Sequence, residues 1–266
     1  MAKEWTIMGS PPSYTNSNLE NKDFEFFSNG YFQDIANSPL GESLLIYKAR
    51  PSNTQYEPTT LKGVVQQVTA DGEDASKKRQ ILCPIGVLDS GDYVFYKDSY
   101  WIVVGLVDDN GFYAKAVMYY CNWILKFQCP YLHGEIIEYP VYCQNAVQYN
   151  SGVTKASQLQ VGSNQNLIYI QGNEETLSVQ RDARFLIDKD IKNPMSFKLT
   201  NTDTTSFNFK NKGVLSWMVA ECQTEYSNDD TLNGIARYMD ENKAFLHQPT
   251  NSSISNKNKK LIEEWM

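Results

Sequence analysis

Histidine is almost missing from this chain: there are two, His133 and His247, in 266 residues. A histidine-based triad needs a nucleophile and an orienting acid around one of them. No serine lies in a Gly-x-Ser-x-Gly elbow. Paired cysteine spacing is missing too. Cys83, Cys121, Cys129, Cys143 and Cys222 form no Cys-x-x-Cys, which excludes the usual zinc and thiol redox motifs. Their odd number reads as reduced thiols in a protein made in a cytoplasm. There is no Gly-Lys-Ser/Thr phosphate loop and no dinucleotide fingerprint. Basic residues are outnumbered, 24 Lys+Arg against 31 Asp+Glu, a net charge of −7. Such a chain is a poor candidate for gripping phosphates, although an acidic wall suits a passage through which DNA slides. No run approaches the roughly 18 uncharged apolar residues of a membrane span. The opening Met1-Ala2-Lys3-Glu4-Trp5 lacks the apolar stretch of a signal peptide. The expectation is a protein that is not an enzyme, needs no cofactor or metal, and meets no membrane. It acts where it is made or leaves the cell by lysis.

Carboxylates do occur in pairs: Glu135 with Glu138, Glu174 with Glu175, and Asp188 with Asp190. A glycosidase needs two that face each other across a cleft, whereas acidic pairs in turns are ordinarily solvated. Asp71, Glu73 and Asp74 lack the spacing and closing glutamate of a calcium loop.

What the chain does have is strand signal. Aromatics make up 13%, with 17 Tyr, a residue that packs its ring while its hydroxyl reaches a partner. Strands are expected at 43–49, 61–68 and 80–83, the last closed by Pro84. The clearest segment runs from Ser90 to Val107, where two β-rich runs flank Lys97-Asp98-Ser99 as a hairpin. Asp108-Asp109-Asn110-Gly111 is a second turn, and 112–127 continues as strand. Such a meander must bury one face, and a small curled barrel does so. A second β block follows, with strands at 135–147, 157–161, 166–171, 184–188, 196–200 and 214–223. The fold expected is all-β: a small SH3-like barrel of meander hairpins, a second β block, and polar, mostly irregular terminal arms. The expected domains are an arm at 1–40, the barrel at 41–130, the second β domain at 131–226, and a polar tail at 227–266.

The run Gly91-Asp92-Tyr93-Val94 followed by Tyr100-Trp101-Ile102-Val103, preceded by a strand, a charged loop and Gln80-Ile81-Leu82-Cys83-Pro84, resembles head-closure (stopper) and related head–tail connector proteins of tailed phages. Tyr120 to Phe127, Arg184 to Asp188, Asn193-Pro194 and Gly213 to Cys222 resemble virion-type proteins of phages and prophages of Gram-positive bacteria. Together these segments span roughly residues 43–223. The resemblance implies a structural virion protein that forms a homo-oligomeric ring at the neck, between the portal and adaptor on one side and the tail on the other. It would be assembled in the host bacterial cytoplasm. It also implies that residues 69–79 form a channel loop near packaged DNA, carrying Asp71, Gly72, Glu73, Asp74, Lys77, Lys78 and Arg79. Gly91, Asp92, Tyr93 and Trp101 would form the motif and packing hairpin. The second β block departs from simple single-domain stoppers. Another virion component, such as a tail or host-adhesion protein, is the alternative.

Overall fold

The computed structural model describes residues 32–68, 76–145, 164–190, 192–209 and 212–237. The strand expected at 157–161, His247, and residues 69–75 of the charged loop lie outside them, as do most of both terminal arms. The chain divides into two compact units. One takes residues up to Cys121 together with Thr205–Val214; the other takes Asn122–Thr204 and the residues from Leu215 onward.

The first unit is a closed barrel. Its strands are β1 (Glu42–Tyr47), β2 (Thr59–Gln67), β3 (Lys78–Cys83), β4 (Tyr93–Tyr96), β5 (Ser99–Asp109) and β6 (Ala114–Tyr120), in the order β1-β2-β3-β6-β5-β4. Two antiparallel meanders, β1–β2–β3 and β4–β5–β6, are joined edge to edge by β3 with β6 and β1 with β4. Alternation along each strand turns Leu44, Ile46, Ile81, Val94, Val103 and Met118 into one buried cluster with Cys83, Ala114 and Ala116. Small residues among large ones suit the narrow interior of a six-stranded barrel. Each buried Leu, Ile or Val contributes about 1.5–3 kcal/mol.

The hairpin between β4 and β5 is tighter than its sequence implies. Tyr96 pairs with Ser99, which leaves a two-residue turn. Lys97 and Asp98 there take φ of 46° and 56°, the left-handed pair whose twist matches that of the flanking strands. Farther along β5 the register shifts between Val104 and Asp108, so that three residues oppose one on β6. Gly105, at φ 92°, sits in this bulge, and such bulges bend a strand as barrel closure requires.

The strand expected at 112–127 is two strands. β6 ends at Tyr120, and β7 (Trp123–Cys129) belongs to the other unit. Asn122 makes the break. Its side-chain amide donates to the Cys143 carbonyl and its side-chain oxygen accepts from the Cys143 N–H, both at 2.7 Å, in imitation of a backbone ladder.

The second unit is built from β7, β8 (Glu135–Asn145), β9 (Gln165–Gln171), β10 (Arg184–Leu186), β11 (Ser196–Asp203) and most of β13 (Lys212–Cys222), in the order β10-β11-β13-β9-β8-β7. The short β12 (Asn208–Phe209) pairs only with the start of β13, and that hairpin falls in the first unit. Phe127 of β7 meets Phe185 of β10 edge-on at 5.9 Å, so the two ends of the strand order approach one another and the sheet curls on its core. Trp217, stacked on Phe185 at 5.5 Å, fills the centre with Tyr139. Residues 227–237, expected as polar tail, pack here: Ile235 and Ala236 are buried. Residues 32–37, expected within an irregular arm, are helical, with Phe32 and Ala36 buried.

Candidate functional site

The Gly91-Asp92 step sits where the loop after β3 enters β4. Gly91 has φ 88°, and its N–H donates to the Val103 carbonyl at 2.9 Å. A side chain has no room there, because an ideal Cβ would fall 2.2 Å from the carbonyl oxygen of Gly213. Glycine is therefore required twice over, for its backbone and for the approach of the β12–β13 hairpin.

Asp92 is 3% exposed, yet its carboxylate is well served. It accepts from Lys48 Nζ at 2.6 Å and from the Asp89 N–H at 2.7 Å. Lys48 also reaches Asp89 at 3.0 Å, and Lys212 reaches the same Asp89 oxygen at 2.6 Å. Alternating charges Asp92–Lys48–Asp89–Lys212 thus tie the end of β1, the 84–92 loop and the β12–β13 hairpin together. Burial lifts Asp92 above the usual carboxylate range, although Lys48 and the Asp89 N–H act the other way. Burial pushes Asp89 up as well, but hydrogen bonds from Lys212 and Lys48 outweigh it and hold that carboxyl low. For Lys48, burial opposes the charge, and the two aspartates more than offset it, so the ammonium is held above its ordinary value.

The sign of the linkage follows. Lys48 contributes stability that is complete below the ordinary lysine value of 10.5 and is lost as pH rises through the folded value. Asp89 contributes stability that is present above 3.8 and lost as pH falls through its own folded value. The expected result is a urea midpoint that falls on the alkaline side of 10.5, with a smaller fall in Lys48→Met. An equal fall in the variant would assign the alkaline loss to other groups.

Tyr93 and Ile102 point away from the barrel interior and pair across β4 and β5, yet both are fully buried. β12 packs against β5. Trp101 points inward; Arg79 lies 5.7 Å over its ring and Tyr120 meets it edge-on at 5.3 Å. All four motif residues, Gly91, Asp92, Tyr93 and Trp101, thus serve packing and anchoring within one unit. The charged-loop residues are divided. Asp71, Gly72, Glu73 and Asp74 lie outside the described residues. Lys77 sits in a single helical turn, while Lys78 and Arg79 are already in β3, with Lys78 over the Tyr119 ring at 5.0 Å. Two of the three basic residues of the expected loop, Lys78 and Arg79, are therefore strand, held on aromatic faces.

The remaining candidates stay apart. His133, at φ 57°, occupies the tight β7–β8 turn. Glu138 pairs with Lys126 at 2.9 Å. Glu174 and Glu175 open the helix Glu174–Leu177, capped by Asn173, and Glu175 accepts from the Tyr139 hydroxyl. Among the described residues no group of three or more His, Cys, Asp or Glu could hold a metal ion. Burial pushes the Cys83 thiol up to about 12 and the Cys143 thiol likewise to about 12, leaving both protonated and unreactive at neutral pH.

Sequence reasoning missed Lys48 and missed the buried pair of Arg184 with Asp229. The guanidinium donates to both oxygens of Asp229, at 3.2 and 2.7 Å, and to the Gln223 carbonyl at 3.0 Å. Asp229 also takes the N–H groups of Glu225 and Arg237. An arginine at the head of the apolar run Phe185-Leu186-Ile187 was the available signal.

Residues 14–119 match the family model of the YomX N-terminal domain. That family is phage-derived, of the Bacillus phage type, and the match points to a phage protein. The matched stretch includes β1 to β5 whole and ends one residue short of the end of β6, so it covers the barrel strands and the residues before them from position 14. No curated protein and no solved structure matches the chain.

Proposed function

We propose that this chain is a structural building block of a tailed-phage particle, assembled as a ring of identical copies at the neck, where it closes the filled head and joins it to the tail. The observation that carries the reading is the match of a phage-derived family model to the stretch that holds the closed β-barrel. The Gly91-Asp92 anchor and the Tyr93–Trp101 hairpin give that barrel a rigid frame. A ring is the ordinary way for such subunits to assemble around a channel. The net charge of −7 favours a channel wall over a DNA clamp. In this reading the segment between β2 and β3 approaches packaged DNA, the portal or adaptor lies on one side and the tail on the other, and the role is non-enzymatic. The ring assembles in the host cytoplasm and remains in the virion.

Mass spectrometry of purified particles tests the reading. A structural neck protein is present in every preparation, at a fixed copy ratio to the portal. Absence from particles that contain portal and major tail protein would remove the structural role.

A further inference from the structure

β7 stands at one end of the second unit's strand order, and its edge away from β8 joins no ladder among the described residues. Beside the first half of β7 lies a groove of about 200 Å³, walled by Ile124, Lys126, Leu186, Asp188, Asp190 and Leu232. Ile124 is 51% exposed and Leu232 81%, so apolar side chains face water on both rims. Single exposed apolar residues are normal, but apolar rims that converge on a concavity mark an interaction site. The volume falls below the roughly 300–1,000 Å³ of small-molecule pockets. It suits the apolar side chains of a peptide laid along its rims. Backbone N–H groups of Asp190 and Met195 donate to the Asp188 carboxylate, and that carboxyl is held below the usual range, the Asp190 bond foremost. The groove lining therefore sets two carboxylates, Asp188 and Asp190, against the one lysine, Lys126.

We propose that this groove receives the chain's own C-terminal segment, residues 257–266. That segment reads Lys257-Asn258-Lys259-Lys260-Leu261-Ile262-Glu263-Glu264-Trp265-Met266. Its three lysines complement Asp188 and Asp190, its Glu263 and Glu264 complement Lys126, and Leu261, Ile262 and Trp265 complement the apolar wall of Leu186 and the rims at Ile124 and Leu232. The tether starts at the groove. Arg237 follows the lining residue Gly234 by three positions, and its N–H is fixed on Asp229. Residues 238–256 reach at most about 65 Å when fully extended, so the segment returns without strain. Attachment makes the docking intramolecular and removes the cost of finding a free partner.

The test is photocrosslinking in the full-length chain with p-benzoylphenylalanine in place of Trp265. Crosslinks to residues 123–126, 186–190 or 231–234 are expected. Leu232→Asp, at an exposed position, should cut their yield about tenfold, the loss of one anchor. Leu177→Asp, at an exposed apolar position elsewhere in the same unit, should leave the yield unchanged. An excess of synthetic 257–266 peptide should suppress the crosslinks. Crosslinks elsewhere, none at all, or a yield indifferent to Leu232→Asp would overturn the proposal.

Discussion

Gly91→Ala is expected to lower the stability of the barrel unit by about 3–5 kcal/mol, read as a fall in the urea midpoint with little change in slope. Two costs add. The backbone at φ 88° is left-handed, which costs a residue with a side chain about 1–2 kcal/mol. The new Cβ would also meet the Gly213 carbonyl at 2.2 Å, a backbone atom that cannot swing aside as a side chain would. Gly86→Ala separates the two. Gly86 lies in the same loop at φ 78° with nothing within 4 Å of its ideal Cβ, so only the backbone cost, about 1–2 kcal/mol, applies. Equal losses in the two variants would mean that the close approach to Gly213 contributes nothing.

Asp229→Ala is the second large effect. The side chain is fully buried and its partner Arg184 nearly so, at 0% and 11% exposure. Removing one member of such a pair strands the other charge away from water and costs about 3–5 kcal/mol. The loss should appear first as protease sensitivity in residues 223–237, because Gln223, Glu225 and Arg237 all bond to the pair. Arg184→Leu combined with Asp229→Leu should cost less than Asp229→Ala alone, since no charge is then left unpaired. A double variant as unstable as the sum of both single changes would contradict this.

Period-two alternation made the strands of both blocks legible, and the Gly-Asp step and aromatic hairpin drew attention to Gly91, Asp92, Tyr93 and Trp101. Their partners were not legible. Lys48 lies 44 residues from Asp92, and no local pattern tells which strand end will sit beside which loop. The same limit hid the Arg184–Asp229 pair, 45 residues apart, so the segment after 227 read as polar tail when its polar residues were anchors. The run 112–127 looked continuous because both halves alternate. Only the two side-chain bonds of Asn122 to Cys143, a long-range contact, reveal the break. Lys78 and Arg79 read as loop because charge usually marks solvent. Here their stems lie along β3 with their cations on Tyr119 and Trp101, as amphipathic side chains can.

Electron microscopy of particles from a phage with a stop codon in this gene tests the central claim most directly. A neck ring predicts filled or leaking heads beside separate, complete tails, with joined particles restored when the protein is supplied in trans. Complete particles that merely fail to adsorb to the host would contradict that placement and assign the protein to the tail.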